Sequence, residues 1–185
     1  EVKVTTYDGR AYLQAVDQKY DVIMVDAYQD ITIPFQMSST EFFAMVRDHL
    51  KEDGVMVVNM NMQSGEEGSI NQYLTDTIAG VFDTVYTVNV TGSTNRELFA
   101  SCNSRINEVL AENTGELSDP ELKAMMERVS KNLQACGKGP HILTDDKAPV
   151  ELLGMRVIDQ MIRDEIGYYK EIFKEQGLEG LLGAM

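Results

Sequence analysis

Two aspartates that follow predicted strands are the residues best placed to do chemistry. Asp26 comes directly after the apolar run Val22–Val25, and Asp8 ends the strand-like segment Val2–Tyr7. The carboxyl ends of parallel strands open on one crevice, so both carboxylates are expected to project into it. Such a pair can bind a cation, accept a proton or hydrogen-bond an exocyclic amine. The alternative, that each acid only stabilises its own turn, stays open.

The elements that must position these acids alternate between strand and helix. The patterns predict strands at 2–7, 22–25, 54–62, 84–90 and 97–103, and helices at 10–16, 42–50 and 70–82. The apolar run at 22–25 does not alternate with polar residues, which is typical of a strand buried on both faces of a parallel sheet. The last two strands form a hairpin, which predicts an antiparallel edge strand. The fold class is therefore α/β, with three layers.

The pattern after residue 103 is mostly helical. Helices are predicted at about 105–112, 120–136 and 150–176. We expect a sheet domain over residues 1–103 and a helical C-terminal extension over residues 104–185.

Composition excludes several classes of function. The chain has 185 residues, 43% of them hydrophobic, and a formal net charge of -14. An acidic surface argues against a nucleic-acid partner and allows a cationic ligand. No apolar run is long enough to cross a bilayer, which predicts a cytoplasmic protein. The two cysteines and two histidines lack ligand spacing, so we predict no metal.

Four segments of the chain together resemble the spermidine synthase (polyamine aminopropyltransferase) family. They are Asp-Gly-Arg-Ala-Tyr-Leu at 8–13, Tyr-Asp-Val-Ile-Met-Val-Asp-Ala at 20–27, Thr-Glu-Phe-Phe at 40–43 and Leu-Lys-Glu-Asp-Gly-Val at 50–55. Their order and spacing match that family over about the first hundred residues. The resemblance implies part of a methyltransferase-like Rossmann fold, decarboxylated S-adenosylmethionine as co-substrate and a small cationic amine as acceptor.

The resemblance also implies roles for the two aspartates and their neighbours. Asp26 would accept a proton from the attacking amine, which must be neutral to displace a sulfonium. Asp8, together with Gly9, would lie at the adenine and accept a hydrogen bond from its exocyclic amine.

Further acids and an aromatic residue are candidates for binding the amine. Tyr28 follows Asp26 closely and would line the amine pocket. Family members that make spermidine usually carry a second Asp three residues after the first, whereas here Gln29 stands there and Asp30 follows. The identity of the amine therefore stays open. Asp145 and Asp146 could close over a cationic substrate, or could cap the helix that begins near residue 150, which is the preferred interpretation.

The resemblance leaves part of the nucleotide site without counterparts in this chain. The glycine-rich turn and the acid that would hold the ribose hydroxyls have no match upstream of Asp8. We therefore expect a C-terminal portion of a longer aminopropyltransferase, inactive alone, whose open sheet edge favours a homodimer or higher oligomer. The loop at 143–151 is similar to longer, often membrane-fused members of the group, so a membrane domain upstream stays open. Two other functions stay open: an S-adenosylmethionine-dependent methyltransferase, and a non-catalytic assembly or regulatory domain.

Overall fold

The described residues form a five-stranded mixed sheet and several helices. The computed structural model describes residues 2–27, 33–60 and 67–184. The strands are β1 (Tyr20–Val25), β2 (Leu50–Met60), β3 (Thr84–Asn89), β4 (Arg96–Ser101) and β5 (Gln134–Ala135). The helices are α1 (Gly9–Ala15), α2 (Thr40–Asp48), α3 (Ile70–Val81), α4 (Ile106–Glu116), α5 (Pro120–Asn132) and α6 (Val150–Ala184), with a 3-10 turn at Phe35–Met37. The predicted α/β class is confirmed.

The sheet has the strand order β1-β2-β4-β3-β5. β1 pairs with β2 in parallel, and β4 is antiparallel to both β2 and β3. The predicted antiparallel strand is therefore present, but it lies inside the sheet and not at its edge. Leu98 and Ala100 of β4 have no solvent exposure. Apolar side chains of this kind are usually found inside proteins, which agrees with the position of β4 between two other strands. The two-residue strand β5 forms the edge beyond β3.

The pattern of β2 shows how the sheet is covered on both faces. Met56, Val58 and Met60 are fully buried on one face, and α2 and α3 pack against each other and on the sheet. On the other face Val55 meets α4 and α5, which leave an apolar cavity of about 170 Å³. Both faces of β2 are therefore covered. The predicted burial of the run at 22–25 on both faces is wrong, because β1 is the first strand in the order and its Val22 and Met24 are exposed.

The predicted strand at residues 2–7 is wrong. These residues have no strand conformation, and Val2 and Val4 are 90% and 83% exposed. A strand needs a neighbour to accept and donate its backbone hydrogen bonds, and no described strand pairs with this segment. The β-branched residues alone are therefore not enough to form one.

The helix predicted at 120–136 ends four residues early. α5 stops at Asn132, and Gln134–Ala135 pairs with β3 instead. The Cys136 amide donates to the Val85 carbonyl at 2.9 Å, so the backbone bonds of this segment go to the sheet. Tertiary pairing has overridden the local helical preference.

The chain divides into two compact units, residues 1–150 and 151–185. The first unit contains the sheet with α1 to α5, while the predicted division at 103/104 stays a prediction. In the second unit the helix is interrupted at Gly177, whose φ of 67° lies in the left-handed region that glycine adopts readily. The predicted end at Gln176 matches this break. None of the helices, over the residues described, is long and apolar enough to cross a membrane.

Candidate active site

Asp26 lies where β1 ends. Val25, the last residue of β1, pairs with Val58 of β2, so Asp26 comes beside Asn59. The Asn59 Nδ2 atom donates a hydrogen bond to Asp26 Oδ1 at 3.2 Å. Asp26 is otherwise exposed, so its carboxylate is positioned by β2 and still open to solvent. A carboxylate that is held in place and open to solvent is able to accept a proton.

Glu97 of β4 extends the same row of side chains. It pairs with Asn59 across the antiparallel β2–β4 ladder, and directly paired residues project from the same face. Glu97 is half-buried, and burial raises the pKa of its carboxyl group, with the negative charge of Asp26 adding to the effect. The row Asp26, Asn59 and Glu97 thus crosses three neighbouring strands at one end of the sheet.

The sequence patterns missed Asn59 and Glu97. The predicted strand at 54–62 placed Asn59 in a strand interior, and the strand predicted from residue 97 made Glu97 a first strand residue. The sequence feature that could have identified Asn59 is its side-chain amide within the otherwise apolar run Val-Met-Val-Val-Asn-Met. A polar residue in such a run needs a partner, and here the partner is Asp26.

Asp8 is the N-cap of α1. Its Oδ1 atom accepts a hydrogen bond from the Ala11 amide at 2.8 Å. Gly9 begins the helix, and a Cβ added there would lie 3.4 Å from the Met37 side chain. The structure therefore gives Asp8 and Asp26 different partners, a helix terminus and Asn59. Their predicted roles toward a cofactor and an acceptor stay predictions.

An open cleft of about 410 Å³ lies along β1. One wall is the segment at residues 3–7, and the other is β1, whose Val22 and Met24 are 53% and 72% exposed. Gly9 and Tyr12 close one part of the cleft. β1 thus has a paired side, toward β2, and an open side, toward this cleft.

Asp145 does not cap α6 and is already paired. Arg10 donates to both of its carboxylate oxygens, at 2.8 and 2.5 Å, and Ser39 Oγ donates to Oδ1 at 2.5 Å. The Asp145 amide donates to Glu41 at 3.0 Å. The hydrogen bond from Arg10 lowers the pKa of Asp145. Asp146 is exposed, and α6 begins only at Val150.

The loop that carries Asp145 is held at several further points. His141 donates from its amide to Asp76 Oδ2 at 3.1 Å, and its ring Nδ1 lies 3.0 Å from the same oxygen. The Leu143 amide donates to Thr77 Oγ1 at 2.9 Å, and the Leu143 carbonyl accepts from the Thr40 amide at 2.9 Å. The loop therefore joins α2 and α3 through hydrogen bonds to both helices.

Replacing Asp145 with Ala is expected to destabilise the protein by about 1–2 kcal/mol at pH 7, because charge-assisted hydrogen bonds at a partly exposed site are lost. The Asp145 pKa is lowered in the folded state, so this stabilisation is present above the ordinary pKa and disappears as the pH falls through the folded value. Urea unfolding at pH 7 and near pH 3 measures the loss of stability and its dependence on pH. Asp146→Ala is the matched control. An equal loss of stability in the two variants would show that the hydrogen bonds of Asp145 do not stabilise the protein.

Three of the predicted substrate-binding residues, Tyr28, Gln29 and Asp30, lie outside the described residues. Their roles stay predictions. No group of three or more histidine, cysteine or acidic side chains within metal-binding reach occurs in residues 2–27, 33–60 and 67–184.

A mixed sheet with polar side chains at strand ends and helices on both faces defines an α/β protein of the Rossmann-like class. The spermine/spermidine synthase domain model matches residues 1–105. The whole chain is 54% identical over 202 residues to a probable polyamine aminopropyl transferase of Bifidobacterium longum, covering 45% of that protein. The chain therefore belongs to the spermine/spermidine synthase family.

Other relatives agree with this family and its fold. A polyamine aminopropyltransferase of Korarchaeum cryptofilum is 29% identical over 58 residues, which are 31% of this chain and 18% of that protein. The chain thus spans less than half the length of the curated relatives it matches. Spermidine synthase from Thermotoga maritima has a similar structure, with a TM-score of 0.51 and 21% identity over 70% of this chain and 49% of that one. Human methyltransferase-like protein 13, in complex with SAH, gives a TM-score of 0.50 at 23% identity, over 70% of this chain and 59% of that one. These structural likenesses show the fold alone.

Proposed function

We propose that the protein to which this chain belongs transfers an aminopropyl group from decarboxylated S-adenosylmethionine to a small cationic amine. The observation that carries the proposal is the carboxylate of Asp26, held by Asn59 at the end of β1, inside the region that the family model matches. The relatives are named as polyamine aminopropyltransferases, which supports the same reaction.

The proposed reaction is a displacement at a carbon beside a sulfonium. The acceptor arrives as an ammonium ion and must lose a proton before its lone pair can attack. Asp26 receives that proton, the new carbon–nitrogen bond forms, and the carbon–sulfur bond breaks with its electron pair left on sulfur. The sulfonium becomes a neutral thioether and its positive charge passes to the newly alkylated nitrogen, which is a secondary ammonium ion, so charge and atoms balance. Asp26 contributes proton transfer and the positioning of the amine.

The nucleoside is proposed to meet the chain at the start of α1. Asp8 uses one oxygen to cap the helix, and the other is suited to accept from an adenine amine. Gly9 beside it leaves room for close approach of a ring, since it carries no side chain. Residues of the longer protein that lie outside this chain are expected to supply the rest of the nucleoside site, because the Bifidobacterium longum relative is more than twice as long as this chain.

A methyltransferase is the second candidate, because the sheet is shared with a methyltransferase-like protein. Incubating the full-length protein with 1,4-diaminobutane and either decarboxylated or intact S-adenosylmethionine separates the two. We expect mass spectrometry to show an aminopropylated diamine from the decarboxylated donor only. A methylated product would contradict aminopropyl transfer, and no product from either donor would favour the non-catalytic alternative. The predicted homo-oligomer, cytoplasmic location and upstream membrane domain stay predictions.

A further inference from the structure

The segment Asp8–Gly9, where the nucleoside is proposed to bind, is exposed to solvent. Asp8 accepts its hydrogen bond from the Ala11 amide, which belongs to the same helix and does not attach that helix to the rest of the protein. Leu13, near the other end of α1, is the one buried residue of the helix. The position of the segment therefore depends on a further anchor at the start of α1.

Arg10 is that anchor. Its side chain is only 17% exposed, and its guanidinium group donates to the Gln36 carbonyl at 2.9 Å and to both carboxylate oxygens of Asp145 at 2.8 and 2.5 Å. A bidentate pair of this kind fixes the orientation of the guanidinium group as well as its distance. Arg10 follows Gly9 directly in the chain, so the contacts of Arg10 also restrict the backbone of the segment Asp8–Gly9.

Asp145 is a rigid support for Arg10, because it is held from several sides. Ser39 Oγ donates to its carboxylate, and the Asp145 amide donates to Glu41 at 3.0 Å. The preceding part of the loop is hydrogen-bonded to α2 and α3 through Leu143, and to α3 through His141. A movement of the start of α1 relative to α2 would have to break the bonds of Arg10 or those of this loop.

Asp145 also lies outside the part of the chain that the family model matches. The model covers residues 1–105, which include Asp8 and Arg10, whereas Asp145 lies in the loop between β5 and α6. The ion pair between Arg10 and Asp145 thus connects the matched part of the chain to a loop that comes after it.

We propose that Asp145 is a positioning residue for the nucleoside: through Arg10, it holds the segment Asp8–Gly9 where the adenine is received. This rests on the proposed function for the identity of the ligand, and it adds a residue from the loop before α6 to the requirements of the nucleoside site. Asp145 acts on the nucleoside through Arg10 and does not touch it. Its removal therefore affects the binding of the donor and not that of the amine.

The test measures binding of 5′-methylthioadenosine, the nucleoside thioether that the proposed reaction leaves, to the full-length protein by isothermal titration calorimetry. We expect Asp145→Ala to weaken this binding about 3- to 30-fold, the range typical of residues that act on a ligand through other residues. Asp145→Asn keeps one oxygen that can accept from Arg10 and should lose less affinity. The double variant Arg10→Ala/Asp145→Ala should bind no more weakly than Arg10→Ala, because the two side chains act as one unit.

Asp119→Ala is the control for a loss of stability alone. Asp119 is the N-cap of α5 and accepts from the Glu121 and Leu122 amides at 2.9 and 3.0 Å, so its replacement also destabilises the protein. Its nucleoside affinity should stay within about 2-fold of the wild type, since Asp119 shares no partner with Arg10 or Asp145 among the hydrogen bonds of the described residues. Circular dichroism identifies a temperature at which all the variants are folded, and the titrations are compared there.

The outcomes separate the positioning role from the reaction itself. Wild-type affinity in folded Asp145→Ala, equal losses in Asp145→Ala and Asp119→Ala, or a wild-type protein that does not bind the nucleoside would each overturn the role of Asp145. A loss specific to Asp145→Ala in a protein that makes no aminopropylated product would support this role and contradict only the reaction. Where turnover is present, the KM for the decarboxylated donor should rise with the loss of affinity, while kcat and the KM for the amine should change less than about 3-fold.

Discussion

Asp26→Asn in the full-length protein is expected to lower kcat about 10²- to 10⁴-fold, the range typical of general-base catalysis. Asparagine has nearly the same shape and keeps an oxygen that can accept from Asn59 Nδ2, but it cannot take up a proton at neutral pH. The stability of the folded protein should therefore change little. Steady-state kinetics with saturating amine and donor, together with urea unfolding, measure the two effects separately.

Asp21→Asn is the matched control for this experiment. Asp21 lies near the other end of β1 and pairs with Lys51 on the surface, with both side chains more than half exposed. Its replacement should leave kcat unchanged, since exposed ion pairs contribute little and this one is remote from Asn59. A kcat of Asp26→Asn equal to that of the wild type would show that Asp26 is not the proton acceptor.

Phe43→Ala is expected to reduce the free energy of unfolding by about 3–5 kcal/mol, because a fully buried ring is lost and a cavity remains. Phe43 lies on α2, where its ring is 5.4 Å from that of Phe42 in an edge-to-face arrangement. α2 packs on α3 and contacts β2, so the loss weakens the layer that supports the site. Urea denaturation of the isolated chain gives the value.

Phe35→Ala provides the comparison for Phe43. The Phe35 side chain belongs to the 3-10 turn before α2 and is 54% exposed. Its truncation should cost less than about 1 kcal/mol, because little of its surface leaves water on folding. Similar losses of stability for the two variants would show that Phe43 is not buried between α2 and the rest of the core.

The order of elements could be predicted from local patterns, and the exceptions have physical causes. Amphipathic spacing locates α2 and α3 well, and the structure shows that each begins after a serine, Ser39 or Ser69, whose side chain accepts from a backbone amide. The placement of β4 between β2 and β3 depends on pairing over long distances, which no local pattern encodes. The absence of a strand at residues 2–7 has the same origin, since pairing partners decide whether β-branched residues form a strand.

Residues of the candidate site could be predicted only where an acidic residue directly follows a predicted strand. Asp26 was found because an acid directly follows an apolar run. Glu97 was missed because its significance comes from the β2–β4 register, which brings it opposite Asn59. Asp145 was found as an acid in a loop, but its pairing with Arg10 joins residues far apart in sequence and is visible only in three dimensions.

The open side of β1 has a consequence for hydrogen exchange. Successive amides along a strand point alternately to its two sides, so about half of those in β1 face the cleft and, among the described residues, meet no neighbouring strand. These protons should exchange with deuterium at rates close to those of an unstructured chain. Amides of β2 lie between β1 and β4 and should exchange only when the sheet opens. Any segment that comes to pair with β1 would then be detected as newly slowed exchange at alternate residues of this one strand.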